Sequence, residues 1–255
     1  MDGSAEFGGQ RPLKPYTSPL TGIYPDYASA LAACANPHFA DGDAVARDRL
    51  YFKTHKKIRK AARQPPGPVM AMRLEPYLDA ARAAGGKNLR ILDVGGTDGR
   101  YYWWLAQVLG PDAIDRYDVL EAPQVAALGR QLKNTPVTFY GRPEELPADH
   151  YDVVIFGAML QVLPDPADFF DRVLNRVTAG RIVVTVFPLR DDLDSDIVSA
   201  KRPGGSWGHP YWVFGRGWLD RFARHGVVVR TNMPSYRFTL DRRPYAQSAI
   251  TITGR

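Results

Sequence analysis

The residues best placed to do chemistry are Asp93, the glycines at 95, 96 and 99, and Glu121. The first four lie in Ile91-Leu-Asp-Val-Gly-Gly-Thr-Asp-Gly-Arg100. There an apolar run reads as a buried strand, the glycines as a tight turn, and the residues from Arg100 onward as a helix. Glycine lets a ligand approach the backbone, and the first N–H groups of a helix have no partner of their own. Doubly wound sheets bind nucleotides at such strand–turn–helix junctions. The dinucleotide fingerprint G-x-G-x-x-G fails: counted from Gly95, its second glycine position holds Thr97 and its third Arg100. Asp93, two residues before the turn, would face a pyrophosphate with the wrong charge, but it suits an ammonium group through water. Glu121 stands 22 residues after Gly99, at the end of the next expected strand, where an acid accepts from two ribose hydroxyls. An ammonium group and a free ribose diol together describe S-adenosylmethionine. Its expected contacts are Asp93, Gly95, Gly96, Thr97, Gly99, Glu121 and Ala122.

With the segment YDVVIFGAMLQVLPDPADFF (151–170), these residues resemble the class I S-adenosylmethionine-dependent methyltransferases. More narrowly, the chain is similar to a bacterial group of small-molecule methyltransferases. The residues carrying that likeness are Gly22-Ile-Tyr24, the D-x-G-G turn, Val119-Leu-Glu-Ala-Pro123, the L-Q-x-L-x-D-P stretch from Leu160 to Pro166, and Pro210-Tyr-Trp-Val-Phe214. The resemblance covers about residues 70–187 well and the last two expected strands loosely. Two departures stand out: Thr97 replaces the second glycine of the usual D-x-G-x-G-x-G turn, and Gln161 replaces a histidine. The resemblance implies a Rossmann-like, doubly wound α/β fold with a mostly parallel seven-stranded sheet whose last strand is antiparallel. It also implies methyl transfer to a small-molecule acceptor. Phe156, Gly157 and Gln161 would then lie near the methionine half of the cofactor, and Glu144 or Glu145 either near the adenine or facing solvent on a surface turn.

The pattern along the chain supports such a fold. Strands expected at 89–94, 114–120, 137–140, 152–156, 181–187, 227–231 and 248–253 alternate with helical segments, as a parallel sheet covered on both faces requires. Residues 1–22, rich in Gly, Pro and Ser, read as a flexible, irregular tail without the features of a secretory signal. Residues 23–68 read as a helical cap, with one helix over 24–35 that Asp26 can cap and a basic one over 43–63. Residues 69–255 read as the S-adenosylmethionine-binding domain, with 190–217 as an irregular lid or acceptor-binding insert. In that insert His209 is the candidate general base and Tyr211 its neighbour, while Trp207 and Trp212 are candidate acceptor contacts. Tyr101 and Tyr102 open the first helix after the turn and either edge the pocket or pack under the cap. Arg59, on the basic helix, could turn toward an anionic acceptor or lie on a solvated face.

Composition sets bounds on all this. The chain has 255 residues, 45% of them apolar, enough for a full core. Net charge is +6, but six of the Lys and Arg residues lie in 53–63, which holds no acid, so the rest of the chain is neutral. A nucleic-acid acceptor is disfavoured on that ground. No apolar run reaches bilayer length, which argues against a membrane partner. Cys34 is the one cysteine, consistent with a cytoplasmic protein and with no Cys-based metal site. A small-molecule acceptor of specialised metabolism, no metal, and a homodimer among the allowed assemblies complete the expectation. A nucleic-acid methyltransferase, another S-adenosylmethionine-derived transfer or cyclisation, and a silent S-adenosylmethionine-binding module stay open as alternatives.

Overall fold

The computed structural model describes residues 16–34, 52–57, 59–110, 112–201, 208–240 and 242–254. Ten strands form one sheet: β1 (Tyr16–Tyr24), β2 (Leu89–Val94), β3 (Ile114–Leu120), β4 (Val137–Tyr140), β5 (His150–Gly157), β6 (Thr178–Phe187), β7 (Ile197–Lys201), β8 (His209–Val213), β9 (Val227–Leu240) and β10 (Arg243–Thr253). The helices are α1 (Tyr27–Ala32), α2 (Pro68–Ala83), α3 (Arg100–Leu109), α4 (Pro123–Gly129), α5 (Pro166–Arg176) and α6 (Gly217–Ala223); residues 52–57 and 59–61 are also helical. Asp26 caps α1 by accepting from the Ser29 N–H, as its position suggests. Asp165 caps α5 in the same way through the Asp168 N–H, with Pro166 at the first helical position.

The strand order is β4-β3-β2-β5-β6-β10-β9-β1-β7-β8. From β4 to β6 all neighbours are parallel. β10 is antiparallel to both β6 and β9, as expected of the last strand. Alternation along each central strand separates two cores. Leu92, Val94, Val154, Phe156, Ile182 and Val184 face α5 and α6, where Phe170, Trp218 and Phe222 pack. Leu89, Ile91, Val153, Ile155 and Val183 face the other side, against Leu74, Tyr77 and Ala81 of α2 and Tyr101 and Leu105 of α3. The sheet winds one way through β3 and β4 and the other through β5 and β6. The crevice where the order reverses therefore lies beyond the carboxyl ends of β2 and β5.

The seven-stranded expectation is corrected to ten. Residues 16–22, expected within an irregular tail, and 23–24, expected to open the helical cap, form β1, which pairs parallel with β9 and antiparallel with β7. The insert after β6, expected to be irregular, contains the antiparallel pair β7–β8. Polar residues and prolines mask these strands, because their stability comes from pairing with one another rather than from local propensity. β9 and β10 also run far beyond the two short strands expected, as a long hairpin that carries β1, β7 and β8. The cap helix expected over 43–63 lies partly outside the described residues, as does Trp207.

Candidate functional site

The glycine turn leaves β2 as the sequence requires. Gly95 and Gly99 have φ of +80° and +69°, conformations open to glycine at little cost. Thr97, between them, holds φ +54° despite its branched side chain. The Gly95 N–H is tied to the Leu120 carbonyl, which locks the turn to the end of β3. Gly96 lies directly over the Asp93 carboxylate.

Asp93 is buried beneath this turn. The Tyr117 hydroxyl donates to its Oδ2 at 2.7 Å, while its Oδ1 is buried without a hydrogen-bond partner. Burial pushes its carboxyl up to about 7; the Tyr117 hydrogen bond works in the opposite direction, and Glu121 adds to the rise. Asp98, at the foot of α3, is also buried, but its carboxyl is held below its ordinary value. Burial acts against that shift, and His55 at 3.5 Å with Arg100 at 2.8 Å overcomes it. The His55 contact ties the helical segment 52–61 to the turn.

Glu121 closes the other side of the crevice. Its carboxylate accepts from the Thr97 N–H at 2.9 Å and from the Ala122 N–H at 3.1 Å. Gly157 ends β5 at the neighbouring strand tip. A Cβ there would come within 2.8 Å of the Tyr77 hydroxyl, which bonds Thr185 at 2.7 Å. Its glycine identity thus has a packing reason. Gln161 is buried on a short 3-10 turn, Leu160–Val162, just beyond β5.

The other expected site residues make the following contacts. The Phe156 side chain is in the core, 5.0 Å from the Phe170 ring, so only its backbone faces the strand end. Alternation along β5, which sends residues 154 and 156 to the α5 side, carries the signal for this. Glu144 is exposed and ion-paired with Arg172, lining a surface groove of about 240 Å³ with Pro143, Asn175 and Arg176. Arg59 sits 4.7 Å over the Trp103 ring and donates to the Asn134 carbonyl at 3.2 Å. Tyr101 packs on Tyr77 and Tyr102 packs edge-on against Tyr117, the residue that holds Asp93.

His209 and Tyr211 are both buried on β8, their rings 6.2 Å apart. Tyr211 belongs to an apolar cluster with Leu20, Val213, Phe238 and Leu240, and the buried Gln247 amide donates to its hydroxyl at 3.5 Å. Trp212 points the other way. It donates its indole N–H to the Leu163 carbonyl at 2.8 Å and stacks on Tyr27, whose hydroxyl donates to the Val162 carbonyl. β8 is thereby fastened to the segment following β5, at the same edge of the sheet as the glycine turn. Arg73 and Tyr236, absent from the sequence reading, also converge on this edge. Among the described residues no group of three or more His, Cys, Asp or Glu could hold a metal ion, and no helix is long and apolar enough to cross a membrane.

Neither a protein-family model nor a curated relative matches the sequence. Several solved structures are similar in fold. One is a 1,6-didemethyltoxoflavin-N1-methyltransferase from Burkholderia thailandensis, with its substrate and S-adenosylhomocysteine bound. It is 18% identical, covers 86% of this chain and 99% of its own, and has a TM-score of 0.47. A magnesium protoporphyrin IX methyltransferase from Synechocystis PCC 6803, with S-adenosylmethionine bound, is 14% identical, covers 85% and 99%, and has a TM-score of 0.48. An amino pentose methyltransferase from Micromonospora echinaspora is 16% identical, covers 71% and 92%, and has a TM-score of 0.44. At this level of likeness the reading of the site rests on its own residues.

Proposed function

We propose that the chain is an S-adenosylmethionine-dependent methyltransferase acting on a small-molecule acceptor. The observation that carries this reading is the pairing of the D-x-G-G turn with Glu121, whose carboxylate is anchored by two backbone N–H groups at the topological switch of the sheet. The residues fit the cofactor. The Glu121 carboxylate at the end of β3 is of the acceptor type a ribose diol needs, and Asp93 keeps one oxygen without a partner under the turn, where an ammonium group or a water beside it would be stabilised. Asp93 would repel a pyrophosphate. Gly95, Gly96, Thr97 and Gly99 supply the backbone surface, Ala122 flanks Glu121, and Gln161 offers an amide beyond β5.

When bound, S-adenosylmethionine supplies an electrophilic methyl on a sulfonium, transferred in line to a nucleophile. The protein's task is then to position the acceptor and keep water out. In this reading the β7–β8 hairpin, fastened by Trp212 and Tyr27, is the cover over the crevice. Tyr102 and Trp212 border the acceptor side. His209, with Tyr211 beside it, takes a proton only if the accepting atom is a hydroxyl oxygen or an acidic carbon. An anionic acceptor of specialised metabolism is the narrower form of this proposal. The test is incubation with trideuteromethyl-labelled cofactor and a panel of phenolic, amino and carboxylate acceptors, read by mass spectrometry. A product heavier by one labelled methyl group is expected. Tight cofactor binding with no transfer across a broad panel favours the non-catalytic module instead.

A further inference from the structure

Gln247 lies on β10 beyond the carboxyl edge of the central sheet: its neighbour Ser248 pairs with Phe187, the last residue of β6. On the strand face it shares with Tyr245 and Ala249, it separates two apolar clusters. Tyr245 packs with Tyr211 and Phe238 on one side. Ala249 packs with Met233, Tyr236 and Ala158, the residue after the β5 tip, on the other. The strand order sets Gln247 and Tyr211 four strands apart, roughly 19 Å across a flat sheet. Yet the Gln247 Nε2 lies 3.5 Å from the Tyr211 hydroxyl. The outer strands therefore curl until β8 faces β10, and the surface between them becomes an interior. Val162, from the turn beyond β5, packs into that interior as well. His209 stands on the same face of β8 as Tyr211, two residues before it.

An amide between two apolar clusters is costly to bury unless both of its ends are satisfied. Gln247 is fully buried, and only its nitrogen is served. The Nε2 donates to the Arg237 carbonyl and to the Tyr211 hydroxyl, each at 3.5 Å. A carbonyl can only accept, so Arg237 fixes which end of the amide is the nitrogen. Oε1 is left buried without a hydrogen-bond partner among the described residues. Met233, directly opposite on β9, has no side-chain donor to offer it. The register of the β9–β10 hairpin steps from Ala246↔Arg237 to Gln247↔Met233, which leaves Pro234, Ser235 and Tyr236 opposite no residue of β10. Such a bulge re-aims the side chains beside it, and it sets Gln247 between the clusters. A lone acceptor atom in an apolar-walled interior suits a molecule that is apolar and carries an N–H or O–H at one point.

We propose that Gln247 selects the methyl acceptor: its Oε1 accepts from an N–H or O–H on an otherwise apolar molecule held between the two clusters, with His209 and Tyr211 on the facing strand. The inference rests on the methyltransferase reading and adds the class of acceptor to it. Matched probes test it on the full chain saturated with S-adenosylhomocysteine. Indole is titrated against 1-methylindole, and phenol against anisole. The unmodified protein should bind the N–H or O–H member of each pair about tenfold more tightly, the worth of one buried hydrogen bond. Gln247→Met keeps the length of the side chain without the amide and should abolish that preference. Gln247→Glu, whose buried carboxyl keeps an accepting oxygen, should retain most of it. A preference that persists in Gln247→Met belongs to steric exclusion of the added methyl and overturns the proposal. Absence of preference in the unmodified protein, or no binding of either member, overturns it too. Where Gln247→Met does not fold, the side-chain amide resonances of Gln247 in the unmodified protein decide. They should shift with indole and not with 1-methylindole; an equal response to both, or none, overturns the proposal. Failure of the unmodified protein to bind S-adenosylhomocysteine contradicts the methyltransferase reading instead, and the probe pairs titrated without it still read Gln247.

Discussion

Asp93 shows how one buried residue sets a pH dependence. Its carboxyl sits near 3.8 in the unfolded chain and near 7 when folded, because burial penalises the anion. The folded protein therefore binds the extra proton between about pH 4 and 7. Its contribution to stability is full below about pH 4 and falls as pH rises through 7. Asp93→Asn removes this slope, so urea titrations should show the variant gaining on the unmodified protein between pH 5 and pH 8. A cationic ligand end favours the ionised form, so S-adenosylhomocysteine affinity should rise from pH 6 to 8 and lose that rise in the same variant. Thr97 carries a second consequence, since a branched residue with φ +54° is strained. Thr97→Gly should raise stability by roughly 0.5–1 kcal/mol, the strain relieved less the entropy glycine loses. An unchanged urea midpoint would deny the strain. Asp93, Glu121 and the turn are legible in the sequence because their spacing is local. Gln247 is not, since its partners come from β8 and β9 and only the fold brings them together.

At the scale of elements, the central strands announce themselves by apolar runs that serve both cores. The peripheral strands do not. β1 holds Pro19 and β9 holds Pro234, and each proline argues against a strand, yet Pro19 lies where β1 pairs with β9 alone, just before its pairing with β7 begins at Leu20, and Pro234 falls in a bulge. The β7–β8 hairpin is held to the sheet by β1 and to the turn beyond β5 by Trp212. Trp212→Ala removes the bond to Leu163 and the stacking on Tyr27, at a cost of about 2 kcal/mol for a half-buried aromatic. Hydrogen exchange should then quicken at 197–201, 209–213 and 160–163 while the strands at 89–94 and 151–156 keep their protection. Uniform quickening across all of these would show the hairpin to be part of one cooperative unit instead.

The whole molecule separates the work of folding from the work of the crevice. Phe170, Phe187, Phe214, Trp218 and Phe222 stack on the α5–α6 face of the sheet, where Phe187 and Phe214 lie 4.3 Å apart and nearly parallel. Phe222→Ala should cost about 3–5 kcal/mol in urea unfolding. The affinity of the protein that remains folded for S-adenosylhomocysteine should be unchanged, because that face does not form the crevice. The two-sided core and the switch of strand order are foreseeable from alternating apolar patterns. The three further strands β1, β7 and β8, which extend the sheet beyond β9, are not, because their stability is a property of the assembled sheet. The central claim concerns the space between the glycine turn and Glu121, and calorimetric titration with S-adenosylhomocysteine and with NAD addresses it directly. S-adenosylhomocysteine should bind and NAD should give no heat. Glu121→Ala should weaken the former at least tenfold, the loss of charge-assisted hydrogen bonds worth ~1.5–3 kcal/mol each. Preference for NAD, or S-adenosylhomocysteine binding unaltered in Glu121→Ala, would contradict the account.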